Sequence, residues 1–283
     1  METKSSEVDL EELPEGCIAK ILSFTTPLDA CKFSVVSKTF RSAADSDDLW
    51  EKLLPSHYHS IISRSSTFSS SSSSLISSKK QLYFHLCHNP ILIDDSKKSF
   101  SLEKQSGKKC YMIAARDLMI AWGGTPQYWQ WKIFTDSRFA EVAELEFVWW
   151  LEIRGKIDTS ILSPETNYAA YLVFRLREGA YGLDSYATLV SIGIVGGEKH
   201  RGTVCLVPDE ERRRVRSRRS GSDRVAGLES PKRRQDSWLE IEIGEYVNRD
   251  GEDGELEMSV MEVHAAKAGL IVQGIELRPK VVQ

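Results

Sequence analysis

The sequence predicts two modules of different class: a small all-α unit of three helices, followed by a mostly antiparallel β-sandwich or jelly roll. Apolar residues recur at helical spacing over the first part of the chain, and a serine-rich stretch then interrupts the pattern. Beyond it, short alternating segments are separated by Gly, Pro, Asn or charged residues. At 283 residues, 41% hydrophobic and 28% charged, the chain is long enough for one large or two modest domains with real cores.

In the first module, residues 1–57, Pro14 suits a first helical turn, and Ile18, Ile21 and Leu22 follow on one face. Thr26-Pro27-Leu28-Asp29 supplies an N-cap, a proline at the first helical position and an acid in the first turn of a second helix. Cys31, Phe33, Val35 and Val36 continue it, and a third short helix carries Phe40, Leu49 and Trp50. So short a segment makes a small core, so much of this apolar surface is expected to meet a partner. A helical cap packed on the second module is the alternative.

Residues 58–82 read as a flexible serine-rich tether. The second module then spans 83–283, with a core over 99–280. CYMIAARDLMIAWGGTPQYWQW puts three tryptophans and Tyr128 around a Gly-Gly-Thr-Pro turn, so Trp122 ends one strand and Trp129 begins the next. ELEFVWWLEIRG alternates as one strand, with Leu145, Phe147, Trp149, Leu151 and Ile153 on one face. Trp131 and Trp149 are therefore assigned to the core, while Trp150 projects among glutamates with no assigned role. YAAYLVFRLR, YATLVSIGIV, GTVCLVP, WLEIEIGEY, ELEMSVMEV and LIVQGIEL are further strands. Many short strands without helical intervals, and no phosphate-cradling glycine motif, argue against a nucleotide-binding α/β fold.

The net charge of −4 hides an asymmetry: residues 212–234 hold ten basic and two acidic residues, a local +8 that leaves −12 on the remainder. An acidic body with one basic loop is not the footprint of a nucleic-acid-binding face. The basic run reads equally as a nuclear import signal or a solvated insertion between strands. Five scattered cysteines without a CxxC pair argue against a zinc site or a disulfide framework, and no cofactor is expected. No apolar run reaches the roughly 18 residues of a membrane span, and the acidic opening lacks a signal segment. A cytoplasmic or nuclear protein with no membrane or nucleic-acid partner is expected.

Two resemblances sharpen this reading. LPEGCIAKILSF, followed by TPLDACKFSVVSKTFRSAADSDDLWE, resembles the plant F-box over roughly Val8 to Leu54. That resemblance implies docking on a Skp-type adaptor within a cullin-based ubiquitin ligase, with contacts from Leu13, Pro14, Ile18, Leu22, Leu28, Val35, Val36 and Trp50. The second module, from FSLEK through the tryptophan-rich turn, WLEIEIGEY and GEDGELEMSVMEV to GIELRP, resembles the phloem protein 2 lectins, the Nictaba-type lectin domain.

The lectin resemblance implies binding of N-acetylglucosamine oligomers or N-glycan cores on glycoprotein targets, through Trp122, Trp129, Glu255 and Glu262. An indole face can cover the apolar face of a pyranose, and carboxylates accept from sugar hydroxyls. Two points stay open. Glu255 and Glu262 are seven apart, so a straight strand would aim them to opposite faces, which requires a bulge or makes one of them structural. Trp122 shares a face with Leu118 and Ile120, so its strand pattern alone would place it in the core. The turn is Gly-Gly-Thr where the prototype lectin is bulkier and acidic, which bears on affinity. Paired carboxylates also raise a glycosidase, but nothing marks a proton donor, so the chain is read as an adaptor and not an enzyme. A second copy of the chain is admitted as a homodimer partner, and a sugar-independent target or a stand-alone lectin are the alternative functions.

Overall fold

The computed structural model describes residues 13–66, 68, 76–216, 225–249 and 253–280. The chain divides into two compact units, 1–93 with 100–109 and 94–99 with 110–283.

The first unit holds α1 (Glu15–Leu22), α2 (Pro27–Phe33), α3 (Lys38–Asp45), α4 (Asp47–Leu53), α5 (Tyr58–Ser63) and α6 (Lys79–His88), then β1 (Ile91–Ile93) and most of β2 (Lys98–Leu102). Side-chain caps set three of the helix starts. The Thr26 hydroxyl accepts from Asp29 N–H at 3.1 Å with Pro27 behind it, Ser37 accepts from Phe40 N–H at 3.3 Å, and Ser78 from Gln81 N–H at 3.2 Å. The expected third helix is two, because Ser46 stands extended (φ −62°, ψ 132°) between α3 and α4. Trp50 ties the unit together. It is fully buried, with the Tyr83 and Phe84 rings at 5.0 and 5.4 Å, and its indole N–H donates to the Ala44 carbonyl at 2.7 Å.

Helices α5 and the start of α6 occupy part of the stretch read as a tether. Tyr58 and Ile61 are buried, the Lys79 ammonium donates to the Tyr58 hydroxyl, and Lys79 pairs with Glu51 at 2.9 Å. Two apolar anchors three residues apart suffice for a buried turn, a signal that serine-rich composition conceals. Residues 67 and 69–75 of the tether lie outside the described residues. Residues 103–107 also return to the helices: Leu28 N–H donates to the Gln105 carbonyl at 3.2 Å, and the Tyr83 hydroxyl bonds the Glu103 and Lys104 carbonyls. The helical core thus draws on more chain than residues 1–57.

The second unit comprises β3 (Lys109–Ala114), β4 (Met119–Ile120), β5 (Trp129–Lys132), β6 (Val142–Leu145), β7 (Leu151–Asp158), β8 (Thr166–Tyr181), β9 (Thr188–Ile194), β10 (Lys199–Val204), α7 (Asp209–Arg216), β11 (Lys232–Arg233), β12 (Leu239–Asn248), β13 (Glu255–Glu262) and β14 (Ala268–Pro279). They form two antiparallel sheets. One runs β3-β14-β8-β12-β11, with β6 also against β14 and β5 against β6; the other runs β10-β9-β13-β7-β4. The sheets face each other as a sandwich. A Cβ added at Gly155 of β7 would lie 3.1 Å from Ile275 of β14, and one at Gly244 of β12 would lie 2.7 Å from Ile192 of β9. Alternation along β13 explains this: Leu256, Met258 and Val260 face in, while Glu255, Glu257, Ser259 and Met261 face out.

The apparent single strand from Glu144 to Arg154 is two strands in different sheets. Ile271 of β14 pairs with Glu144, whereas Leu151 pairs with Glu262 of β13. The chain changes sheets over residues 146–150, and Phe147, Trp149 and Trp150 there are exposed. Trp149, expected in the core, is 61% exposed. The alternation was contributed by two strands, and in the connector between them the residue turned inward is Val148, not Phe147 or Trp149. Trp131 is half-buried, with the Arg116 guanidinium 3.7 Å above its ring.

The basic run is not uniformly solvated. Arg212 is buried and donates to the Val225 carbonyl at 3.0 Å. Arg234 pairs with Glu276 at 2.6 Å and with Glu240 at 2.9 Å. Residues 217–224, the middle of the proposed import signal, lie outside the described residues. Burial alone would raise the Glu276 carboxyl, but Arg138 at 2.8 Å and Arg234 overcome it and hold it down to about 2.

Because the folded-state carboxyl is depressed, its contribution is complete above pH 4.5 and is lost as pH falls toward about 2. Glu276→Gln is expected to cost about 3–5 kcal/mol at neutral pH by leaving the largely buried Arg138 guanidinium without its carboxylate and Arg234 with only Glu240 and Asp236. Urea unfolding followed by tryptophan fluorescence should show the gap to wild type narrowing through that acid window.

Candidate functional site

One end of the sandwich gathers four loops, 121–128, 146–150, 182–187 and 263–267, and direct bonds tie them. Ala121 N–H donates to the Glu152 carbonyl at 3.0 Å, and Glu146 N–H to the Tyr128 carbonyl at 2.9 Å. Val148 and Lys267 exchange two backbone bonds of 3.0 and 2.9 Å. Gly182, at φ +79°, passes so close to loop 263–267 that a Cβ would sit 2.0 Å from the Ala266 carbonyl oxygen.

Trp122 stands at this end, 50% exposed, its ring 5.8 Å from that of Tyr128. Its φ of +56° is left-handed, a conformation unusual for a bulky residue and one that stores strain. The turn over-determines it: Gly123 N–H donates to Ile120 at 2.9 Å, Thr125 N–H to Trp122 at 2.8 Å, and the Trp129 and Trp131 indoles donate to the Ala121 and Gly123 carbonyls at 3.2 and 3.1 Å. The strand pattern that would have placed Trp122 in the core ends two residues earlier, since β4 is only Met119–Ile120.

Of the other lectin-type residues, Trp129 is 2% exposed and lies inside the unit, one turn from Trp122. Glu262 reaches the same end, opposite Leu151, but faces in and is buried. It forms an ion pair of 2.6 Å with Lys267, whose ammonium is fully buried and also donates to the Trp149, Glu262 and Ala265 carbonyls. Burial pushes the Lys267 ammonium below its ordinary range, and Glu262 opposes that. Glu255 pairs across the sheet with Asp158, six residues along β7 from Glu152 and so about 20 Å from the Trp122 end. It is exposed and bonds Lys156 at 2.7 Å. The structure therefore brings Trp122, Trp129 and Glu262 to one end and leaves Glu255 at the other. No bulge separates the two glutamates, which face opposite ways as a straight strand requires.

Sequence reasoning missed Lys267 entirely, and no pattern around it announces a buried cation. It also missed the exposure of Trp149, whose signal was the switch of pairing partner within one alternating run. Nearby, the Tyr186 and His264 rings lie 5.2 Å apart on two of the four loops.

In the helical unit, Ile18, Leu22 and Trp50 are buried and hold the helices together. Pro14, Leu28, Val35 and Val36 are exposed, and Leu13 is half-buried. Ile21, Phe24 and Phe33 join that apolar surface, Val35 being 76% and Phe24 80% exposed. The end of the helix explains two of them: α2 stops at Phe33, so Val35 and Val36 sit beyond it in a turn.

Comparison with known proteins agrees with this two-part layout. An F-box domain profile matches residues 10–52, which defines the helical unit as an F-box ahead of a β-sandwich. The phloem protein 2 profile matches residues 108–279, and the chain belongs to that family. It is 46% identical to the F-box protein PP2-B10 of Arabidopsis thaliana over 98% of this chain and 96% of that protein. It is likewise 46% identical to the F-box protein At2g02240 of the same plant, over 94% of this chain and 79% of that one. A family 35 carbohydrate binding module from Clostridium thermocellum overlaps at a TM-score of 0.31 and 11% identity, covering 59% of this chain and 96% of that chain, a likeness too slight to carry an argument. Among the described residues, no helix is long and apolar enough to cross a membrane, and no cluster of His, Cys, Asp and Glu has metal-binding geometry.

Lys267→Ala is expected to cost about 3–5 kcal/mol, because it strands Glu262 and three carbonyls in the interior. Thermal unfolding reads the cost, and hydrogen exchange should rise first in residues 146–150.

Proposed function

We propose that the chain is a substrate-recognition subunit of a Skp–cullin–F-box ubiquitin ligase whose sandwich reads carbohydrate on target glycoproteins. The F-box assignment carries the first half. Its exposed apolar residues Leu28, Val35 and Val36, with Phe24 and Ile21, form a surface that a partner's groove can desolvate, the arrangement expected of adaptor docking. Leu13 and Pro14 lie at the start of the same unit. Ile18, Leu22 and Trp50 serve it by fixing the helices.

The second half rests on Trp122. Its exposed indole, locked by the turn beside Tyr128, suits stacking on the apolar face of N-acetylglucosamine or an N-glycan core. Trp129 and Glu262 then act from the interior by holding the turn and the neighbouring loop, and Glu255 contacts ligand only if a long glycan spans the sheet. One exposed stack of about 1–3 kcal/mol against an association cost of at least about 4 makes a single site weak. Clustered glycans or a second copy of the chain would supply the missing affinity by multivalency. No catalytic role is assigned to the chain. Transfer of ubiquitin belongs to the rest of the ligase, in the cytoplasm or nucleus.

A second reading has its own support: exposed Phe147, Trp149 and Trp150 beside Trp122 make an aromatic surface equally suited to a protein target without sugar. A glycan array with the full-length chain separates the two. Binding to N-acetylglucosamine oligomers or N-glycan cores, lost in a folded Trp122→Ala variant, supports the lectin reading. A blank array from folded protein removes it. Val35→Glu, at an exposed site that should leave the melting temperature unchanged, is expected to abolish co-purification with a Skp-type adaptor; retention of the adaptor would remove that half of the proposal.

A further inference from the structure

The outer face of the five-stranded sheet carries a groove that borders the Trp122 end through Trp150 but is not lined by Trp122. It encloses about 480 Å³, within the roughly 300–1,000 Å³ span of small-ligand sites. Register builds its floor. Arg201 of β10 pairs with Ser191 of β9, Ser191 with Ser259 of β13, and Ser259 with Arg154 of β7. Two serine hydroxyls, 2.8 Å apart, thus lie between two guanidinium groups. The next row sets Leu189 beside Met261 and Met261 beside Glu152.

Three observations say what fits. First, the Trp150 indole N–H donates to the Glu152 carboxylate at 2.8 Å, which fixes an indole, 45% exposed, at the groove's edge. Arg154 holds the other oxygen of the same carboxylate through its Nε at 2.7 Å, so the wall is preorganised. Second, Lys199 and Glu257 are ion-paired in the groove, so the charges already on Glu152 and Glu257 are both answered. Third, Arg201 lines the groove and makes no ion pair or side-chain hydrogen bond among the described residues, giving three cations against two carboxylates in a chain of net charge −4.

We infer that this groove binds an acidic oligosaccharide, its carboxylate on Arg201 and one pyranose ring stacked on Trp150, with Ser191 and Ser259 meeting ring hydroxyls. The hydroxyl-lined floor and the fixed indole select a sugar chain; the unanswered guanidinium selects an anionic one. The inference shares only its broad ligand class with the lectin reading and does not depend on Trp122.

Calorimetric titration of the full-length chain with oligogalacturonate, beside an uncharged galacto-oligosaccharide of equal length, tests it. Expected are binding of the acidic probe only, weakening with salt, and a loss of about tenfold or more in both Arg201→Ala and Trp150→Ala. Trp122→Ala should bind the acidic probe as wild type does, and the methyl resonance of Met261 should shift while that of buried Met258 stays. If wild type ignores the acidic probe at millimolar concentration, binds the neutral one equally, or prefers polyglutamate, the inference fails, the last result pointing to an acidic polypeptide instead. Dependence on Trp122 alone also overturns it. Failure of N-acetylglucosamine binding at Trp122 would sink the earlier reading and leave this one standing.

Discussion

The ammonium of Lys267 has no water within reach, so the protein must supply everything that solvates it. Three backbone carbonyls and the Glu262 carboxylate do so, drawn from the end of β13 and from two loops, 146–150 and 263–267. One of these loops is where the chain leaves the larger sheet for the smaller. Segments that change sheets lose their regular backbone partners, and a charged group that cannot tolerate being left unsolvated is a strong means of fixing them. With its backbone held inward by Lys267, the 146–150 connector can only turn Trp149 and Trp150 outward. The exposed aromatics at this end therefore depend on a buried polar cluster rather than on apolar packing of their own.

The same logic is repeated at smaller scale. Trp122 is kept in a left-handed conformation because the Trp129 and Trp131 indoles bind carbonyls on either side of it. Trp150 is kept still by Glu152, and Glu152 by Arg154. In each case an exposed ring has its polar edge or its backbone immobilised, which lowers the entropy lost when a ligand covers its face. The F-box surface is built differently. Its exposed Phe24, Val35 and Val36 sit at helix ends and turns, with Trp50, Ile18 and Leu22 behind them as a solid base.

Much of this architecture was legible because it rests on local chemistry. The Thr26-Pro27 cap, the period-two pattern of β13, and the glycine turn before Trp129 each write themselves into a few adjacent residues. The helix at 58–63 was hidden by composition, since its anchors Tyr58 and Ile61 are sparse. The site was less legible than the fold. Whether Trp149 lies inside or outside is settled by which sheet claims its neighbours, and pairing between Glu144 and Ile271 is a long-range fact. Burial of Lys267 and Glu262 likewise depends on a contact with residue 149 that no local pattern encodes. The seven-residue spacing of Glu255 and Glu262, by contrast, did contain its answer: they face opposite sides of a straight strand.

Strand β14 lies between β8 on one edge and β3 and β6 on the other, so the centre of the larger sheet is the last strand in chain order. During synthesis the helices are complete long before this strand emerges. Until then β8 and β3 each present a long unpaired edge, including the buried run from Tyr168 to Phe174. The nascent chain thus passes through a period in which its F-box helices are formed and its sheet is open. For that interval the chain has the exposed strand edges of a misfolded protein.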